Sequence, residues 1–187
     1  MTDLVLKPRL VGKRVILRGA IASDVDDRLA LGHDPEIVRM FGGDPDTAAP
    51  MTREMAQKWV NDQIDHETAW IIEIAGRCVG DIRLQSLNKS DARAVLGLGI
   101  VDPNLLGRGY GTQAMHLLLQ HAFETLGLHR ISLRVLEYNE RAIAAYKKVG
   151  FVEEGREREA GFVQGKRYDD LIMGILAHEY RADGVSE

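Results

Sequence analysis

Apolar positions in the first part of the chain follow two different periods, which separate strands from helices. The segment "RVILRGA" (14–20) alternates apolar and polar residues and therefore predicts a strand. A helix is expected next, because Ser23 or Asp24 can cap its N-terminus before a stretch of helical apolar spacing. The Gly- and Pro-rich segment 41–50 predicts a loop. The helical spacing of the apolar residues in 52–67 predicts a second helix.

The middle of the chain predicts three strands. Residues 69–87 form two apolar stretches joined by a turn at 75–77, which is typical of a hairpin. The segment "AVLGLGIVDP" (94–103) predicts a third strand, interrupted by Gly97 and Gly99. Isolated glycines in a strand indicate a bulge or a close approach of another backbone.

The last part of the chain returns to alternating helices and strands. A strong amphipathic helix is predicted over 111–127, a strand over 130–137 and a helix over 139–150. Residues 151–176 predict a strand, a charged connection and a final strand. The order of elements is therefore strand, two helices, three strands, helix, strand, helix and two strands. This order predicts an α/β or α+β sandwich around a mixed sheet.

Composition narrows the class of protein. The 187 residues, 45% of them hydrophobic, predict a single domain spanning 1–187. The net charge of −4, with no Lys/Arg run longer than a pair, argues against a nucleic-acid partner. The one cysteine, Cys78, excludes an intramolecular disulfide and fits a reducing compartment. Without a signal peptide or an apolar run of membrane-spanning length, we expect a cytoplasmic protein with no membrane partner.

Three glycines, Gly107, Gly109 and Gly111, stand directly before the amphipathic helix. Backbone amides at a helix N-terminus carry partial positive charge, and glycines let an anion approach them. The spacing G-x-G-x-G differs from the G-x-G-x-x-G of dinucleotide-binding folds, and the lysine of a Walker loop is missing. The glycines alone leave two readings open, a phosphate-binding loop or a turn without a ligand.

Three longer segments resolve this choice, because they resemble the GNAT superfamily of N-acetyltransferases. They are "GIVDPNLLGRGYGTQA", "LGLHRISLRVLEYNERAIAAYKKVGFVEEGREREA" and "GKRYDDLIMGIL". The chain is most similar to the Rim-type branch, with its ribosomal-protein alanine and spermidine acetyltransferases, over about residues 10–180. The resemblance implies a mostly antiparallel central sheet, splayed at one parallel pair and flanked by helices. It also implies acetyl-CoA as co-substrate.

The resemblance assigns cofactor-binding roles to twelve residues. Ile100 and Val101 would pair with the pantetheine arm through their backbone, and Asn139, Ala142 and Ala145 would pack beside it. The loop amides would hold the pyrophosphate of acetyl-CoA, and this set is Leu106, Gly107, Arg108, Gly109, Tyr110, Gly111 and Thr112. Leu106 departs from the Gln or Arg that many relatives carry there.

The resemblance also places Tyr146 near the acetyl-CoA sulfur, where a phenol can protonate the departing thiolate. The alternative is a core tyrosine on an amphipathic helix. A strand amide near Ile100 or Val101 would stabilise the oxyanion of a direct transfer. Many relatives carry a glutamate as general base at the position of Leu96. Asp81, Glu73 and Glu137 are the remaining candidates on neighbouring strands; each is also explained as a solvated strand charge. A base-free route through water or the neutral amine fraction stays open.

Other conspicuous side chains have simple structural explanations. Cys78 is expected to be a small buried hydrophobe, and Trp59 and Trp70 are expected in the core. His116 and His121 lack the spacing of a helical metal pair and no H-E-x-x-H motif occurs, so no metal is predicted. The acceptor is expected between the first two helices and the connection 157–168. Its helical wall carries acidic residues that would attract a cationic amine or form a solvated face: Asp24, Asp26, Asp27, Asp34 and Glu36.

The function that this combination predicts is transfer of the acetyl group of acetyl-CoA to a primary amine in a ternary complex. The acceptor is a polyamine, a protein N-terminus or another small amine. The alternative is a non-catalytic acyl-CoA sensor, which the apolar Leu96 favours and Tyr146 disfavours. A nucleotide-dependent dehydrogenase is disfavoured by the glycine spacing. A homodimer is compatible with the sequence.

Overall fold

The computed structural model describes residues 7–181, which form an eight-stranded sheet with five α-helices around it. The strands are β1 (Leu10–Val11), β2 (Ile16–Arg18), β3 (Ala69–Ile74), β4 (Arg77–Asn88), β5 (Arg93–Ile100), β6 (Arg130–Leu136), β7 (Val152–Val163) and β8 (Lys166–Leu176). The helices are α1 (Asp24–Leu31), α2 (Pro35–Met40), α3 (Arg53–Asp65), α4 (Tyr110–Gln120) and α5 (Glu140–Val149).

The sheet has the strand order β1-β2-β3-β4-β5-β6-β8-β7. Neighbouring strands are antiparallel, apart from β5 and β6, which are parallel. These two pair at three positions, Arg93 with Arg130, Ala94 with Ile131 and Val95 with Ser132, and then diverge. The predicted mixed sheet, splayed at one parallel pair, is therefore confirmed.

The sheet is covered on both faces. The larger core lies between the sheet and helices α4 and α5, with Leu118, Leu119 and Ile131 fully buried there. A smaller cluster joins α1 to α3 through Val25 and Val60 on the other side. Burial of apolar surface, which contributes about 25 cal/mol per Å², holds the helices of both layers against the sheet. The gap between β5 and β6 therefore opens between two rigid walls.

Helix boundaries follow local capping chemistry. The side chains of Thr52 and Asn139 accept hydrogen bonds from the third residue after them, at 3.2 Å each. Helix α5 ends at Gly150, whose φ of 112° lies in the left-handed region. The predicted cap at Ser23 begins α1 without a side-chain hydrogen bond, since the neighbouring Asp24 carboxylate binds the amide of Ile21 instead.

Two elements were missing from the sequence prediction. Strand β1 is two residues long and pairs with β2, and helix α2 interrupts the segment between the two predicted helices. The signal for α2 was present, because Asp34 caps it through the amide of Ile37 and Pro35 occupies its first turn. Six residues are too few for a clear hydrophobic period.

The predicted charged connection in 151–176 is wrong. Strand β7 runs through it to Val163, and only Gln164 and Gly165 form the turn to β8. The charges mislead because β7 is the edge strand, exposed over most of its length, and an edge tolerates polar residues.

The glycines of β5 keep a regular register, Gly97 opposite Arg83 and Gly99 opposite Asp81, so no bulge lies there. The close neighbours of these two glycines are side chains, because a β-carbon on Gly97 would lie 3.2 Å from Arg83 Nε and one on Gly99 would lie 3.0 Å from Phe41 Cζ. The close backbone approach is at Gly80 of β4, where a β-carbon would lie 1.8 Å from the carbonyl oxygen of Gly99.

Within residues 7–181, none of the helices has the length and apolar character needed to cross a membrane.

Candidate active site

A cavity of about 1150 Å³ opens where β5 and β6 separate. Its walls come from β5, the loop before α4, the start of α5, helix α2 and strand β4. All thirteen residues assigned from sequence lie along it: Ile100, Val101, Leu106, Gly107, Arg108, Gly109, Tyr110, Gly111, Thr112, Asn139, Ala142, Ala145 and Tyr146.

The glycine loop forms one end of the cavity. Gly107 and Gly109 have φ values of 72° and 80°, in the left-handed region that glycine adopts without strain. Gly109 is the residue before α4, so the unpaired amides of the first helical turn begin next to it. A β-carbon on Gly111 would lie 3.5 Å from Leu98, in ordinary contact. This end of the cavity is therefore built to receive an anion.

Arg14 adds a charged side chain to this end, which sequence reasoning missed. Its guanidinium carbon lies 4.9 Å from the centroid of the Tyr110 ring. It donates a hydrogen bond of 3.3 Å to the carbonyl of Arg108, and in the amide orientation that satisfies both groups Gln113 accepts from it at 2.8 and 2.9 Å. The gap of 94 residues between Arg14 and Arg108 explains why no local pattern revealed it.

The open side of β5 supplies backbone groups to the cavity. The amide of Val101 donates to the carbonyl of Val79 at 2.9 Å, so it points toward β4 and is not available to a ligand. Successive amides along a strand alternate in direction, which turns those of Ile100 and Leu98 toward the slot left by β6. Of the two amides proposed from sequence for an oxyanion, Ile100 fits and Val101 does not.

Helix α5 forms the opposite wall. Asn139 caps it and also donates from Nδ2 to the carbonyl of Met40 at 3.3 Å, which ties α5 to α2. Tyr146 is 8% exposed and packs its ring edge-on against Phe151. Burial raises the pKa of Tyr146 to about 12, so the phenol keeps its proton at neutral pH and can donate it.

Among the sequence-proposed carboxylates, Asp81 is placed in the cavity and is buried, not solvated as expected. Burial raises its pKa to about 6, opposed by the nearby cations of Arg83 and Arg28. The Arg83 Nη1 lies 3.1 Å from Asp81 Oδ2.

The other two candidates are engaged elsewhere. Glu73 forms an ion pair with Arg18, and Glu137 pairs with Arg156 at 3.3 Å and accepts from the amide of Asp169. Leu96, at the position where many relatives carry a base, is buried and lines the cavity.

The two tryptophans differ. Trp70 is fully buried and its indole donates to the carbonyl of Pro8 at 2.8 Å, as a core residue would. Trp59 is half-buried against the smaller core around Val60, as expected, but it also lines the cavity, with Arg28 5.6 Å above its ring. Helical period alone does not distinguish a residue facing the core from one facing a cavity beside it.

The acidic residues of the first helices lie outside the cavity and have partners in the protein. Asp24 pairs with Arg18, Asp26 with Arg53 and Glu36 with Arg141. Asp27 accepts from the amide of Cys78 and Asp34 caps α2. These residues therefore do not form an attracting wall of the cavity. Asp26 and Glu36 are exposed, as expected for a solvated face, whereas Asp24 is buried and Asp27 and Asp34 are half-buried. Besides Asp81 and the two arginines at the glycine loop, Arg14 and Arg108, the charged residues that line the cavity are Arg83, Arg134, Arg141, Lys148 and Asp170.

Cys78 and the histidines take no part in the cavity. Cys78 is fully buried, and burial raises its pKa to about 12, so it is not a nucleophile. His116 is buried, which lowers its pKa. Across residues 7–181, groups of three or more His, Cys, Asp or Glu suited to a metal ion are not found.

This chain is similar to known proteins over most of its length. The family model described as the acetyltransferase (GNAT) domain matches residues 14–152. Spermidine N(1)-acetyltransferase of Escherichia coli is 29% identical over 153 residues, 82% of this chain and 81% of that protein. The Bacillus subtilis protein YdaF, named as a ribosomal N-acetyltransferase, is 31% identical over 108 residues, 58% of each chain.

Solved structures agree. Spermidine N-acetyltransferase from Vibrio cholerae in complex with CoA and spermine superposes with a TM-score of 0.74 at 25% identity, covering 89% of this chain and 98% of that one. An acetyltransferase of the GNAT family from Bacillus anthracis has a TM-score of 0.78 at 18% identity, covering 92% of this chain and 100% of that one. At 18% identity, the similarity to the Bacillus anthracis protein shows a shared fold only.

Proposed function

This chain belongs to the GNAT acetyltransferase family and is an acetyl-CoA-dependent N-acetyltransferase, and we propose that it passes the acetyl group directly to a primary amine. The observation that supports direct transfer is a single cavity that contains the glycine loop, the open side of β5 and Tyr146. A donor and an acceptor can meet there without a covalent enzyme intermediate. The buried Cys78, with its raised pKa, is consistent with this route.

The end of the cavity beside α4 fits the anionic part of acetyl-CoA. Left-handed Gly107 and Gly109, the free amides of the first helical turn and the Arg14 cation supply the matching donors. Arg108, Tyr110 and the rest of the loop from Leu106 to Thr112 complete this wall.

The pantetheine arm is proposed to follow the open side of β5. The Ile100 backbone is free to pair with it, while Val101 contributes only its contact surface, since its amide is bound to Val79. Asn139, Ala142 and Ala145 line the opposite side, and the two alanines leave room for the arm.

The chemistry proposed for the protein's own groups has two parts. The amide of Ile100 or Leu98 donates to the oxygen of the tetrahedral intermediate, where negative charge develops. Tyr146 donates its proton to the departing sulfur, which a phenol with a pKa of about 12 can do throughout the physiological range.

The acceptor is proposed to be a polyamine, a protein N-terminus or another small amine. Relatives named for spermidine acetylation support small amines as a class. Away from the glycine loop, the cavity is lined by side chains of both signs, and Trp59 adds an apolar surface. The charged set is Asp81, Asp170, Arg83, Arg134, Arg141 and Lys148. This mixture favours an acceptor with few positive charges over a long polycation.

The test is release of CoA from acetyl-CoA with a panel of amines, with the product identified by mass. The panel contains spermidine, spermine, an aminoglycoside, amino acids and peptides with free Ser or Ala N-termini. Each active amine is paired with its quaternary methylated form, which has no N–H to lose and is expected to be inert. A chain that binds acetyl-CoA yet releases no CoA with any amine would instead support the sensor function.

A homodimer remains a prediction, which light scattering of the purified protein tests.

A further inference from the structure

We propose that Asp81 is the group that accepts the proton from the acceptor amine, on the strand beside the one where relatives carry their base. This inference rests on the proposed function. The carboxylate reaches the cavity because the residue facing it across the strand pair is a glycine. A β-carbon on Gly99 would lie 3.7 Å from Asp81 Oδ1 and 3.0 Å from Phe41 Cζ. A side chain at 99 would therefore crowd the space between carboxylate and aromatic ring.

A second glycine extends this opening. Gly97 faces Arg83, and a β-carbon there would lie 3.2 Å from Arg83 Nε. Asp81 and Arg83 lie two residues apart on β4 and both line the cavity. Gly97 and Gly99 form no bulge in β5. Their function in this proposal is to leave the ion pair of Asp81 and Arg83 on β4 open to the acceptor.

The position along β5 is also suitable. Gly99 is the neighbour of Ile100, whose amide points into the slot where the thioester carbonyl is expected. Asp81 therefore lies next to the reacting segment of β5. The other carboxylate among the described residues of the cavity wall, Asp170, is on β8, with β5 and β6 between it and β4.

The surroundings keep the carboxylate ionised yet basic. Arg83 on β4 and Arg28 on α1 are the charged groups that face it, and both lower its pKa. The paired strands β3 and β5 present Ile71 and Gly99, which carry no charge. Burial outweighs the two cations and places the pKa at about 6, close to the value that suits a base at neutral pH.

In the proposed transfer, each bond that forms is matched by one that breaks, and each proton that leaves a group has an acceptor. The amine nitrogen attacks the acetyl carbonyl carbon, and a C–N bond forms while the C–S bond breaks. The proton lost by nitrogen goes to the Asp81 carboxylate, and the thiolate receives a proton from Tyr146. Afterwards Asp81 returns a proton to solvent and Tyr146 regains one, so the net products are the amide and CoA.

The test compares wild type with Asp81→Asn, Asp81→Glu and Arg83→Gln, using an amine found active with the wild-type protein. Asp81→Asn is expected to lower kcat by about 10²–10⁴-fold at pH 7.5, the typical contribution of one general base. Asp81→Glu is expected to recover part of this loss. Titration of the acceptor amine cancels in the ratio of wild-type to variant kcat/KM, and this ratio is expected to fall about tenfold per pH unit below about pH 6.

Arg83→Gln separates a proton acceptor from an ion-pair partner. Removing the cation raises the pKa of Asp81, so the acidic limb of the pH profile is expected to move to higher pH. Glu137→Gln serves as a carboxylate control outside the cavity, with a pH-independent ratio to wild type. Binding of CoA by each variant, measured by calorimetry, shows that it is folded.

Four outcomes would overturn the inference. Asp81→Asn with unchanged kcat and a raised KM would make Asp81 a charge anchor. If the acidic limb of the pH profile lies at the same pH in Arg83→Gln as in wild type, the group that titrates there is not Asp81. A wild-type chain inactive with every amine overturns the proposed function and this inference together, whereas an active wild type matched by an equally active Asp81→Asn overturns the inference alone.

Discussion

The guanidinium of Arg14 lies over the ring of Tyr110, 4.9 Å from its centroid, and so joins the start of the sheet to the first turn of α4. The same side chain donates to the carbonyl of Arg108. A cation is thus held beside the amides of the glycine loop by contacts that do not require a ligand. Such preorganisation lowers the entropy lost when an anion binds.

Arg14→Ala is therefore expected to raise KM for acetyl-CoA by about 10–100-fold, since a charge-assisted hydrogen bond contributes about 1.5–3 kcal/mol. Steady-state kinetics with acetyl-CoA and with acetylpantetheine, which has no phosphate, checks the cause. The variant and wild type should differ with the first substrate and agree with the second. Arg93→Ala, which removes an exposed arginine paired with Asp91, is the matched control and should leave both values unchanged.

The left-handed glycines permit a matched comparison. Gly109 and Gly165 have φ of 80° and 77°, and alanine at either is expected to cost about 1–2 kcal/mol of stability. The melting temperature of both variants should fall by a few degrees. Only Gly109→Ala should also weaken acetyl-CoA binding, because Gly165 is in the β7–β8 turn away from the cavity. Equal CoA affinity in the two variants would contradict a cradle at the start of α4.

Tyr146→Phe is expected to lower kcat by about 10²-fold or more with little change in KM for acetyl-CoA, because the lost hydroxyl acts on the leaving group. Tyr180→Phe is the control. Tyr180 is also a phenol with a pKa raised to about 12 by burial, but it donates to the carbonyl of His116 outside the cavity. Unchanged turnover in Tyr146→Phe would return this tyrosine to a purely structural role.

Asp81 should also leave a signature in stability. Its folded-state pKa, about 6, exceeds the ordinary 3.8, so between these values the folded protein binds more protons than the unfolded one. The free energy of unfolding therefore falls as pH rises through this window, by about 3 kcal/mol from this group. The Asp81→Asn variant has no carboxylate to titrate and does not lose this free energy. Its free energy of unfolding relative to wild type should therefore rise by about 3 kcal/mol between about pH 4 and about pH 7.5. Urea unfolding at the two pH values measures the difference, and a pH-independent difference would contradict a raised pKa.

Much of the fold followed from local patterns. The hairpin of β3 and β4 was predicted by its Ala75–Gly76 turn, and α5 by its Asn139 cap and terminal Gly150. Strand β7 was missed in part because an edge strand need not bury either face, so its charges resemble those of a loop. Helix α2 was missed because its six residues make fewer than two turns, too few to show a helical spacing of apolar residues.

The site divides in the same way. By itself the sequence determined the glycine loop, the capped helix that carries Tyr146 and the apolar residue at Leu96, since these depend on neighbours a few positions away. Only the tertiary structure decided that Arg14 reaches Tyr110, that Trp59 faces a cavity and that Asp81 is buried opposite Gly99. Strand pairing sets these contacts between residues far apart in the chain, and the pKa of a carboxylate depends on the desolvation and charges that pairing creates around it.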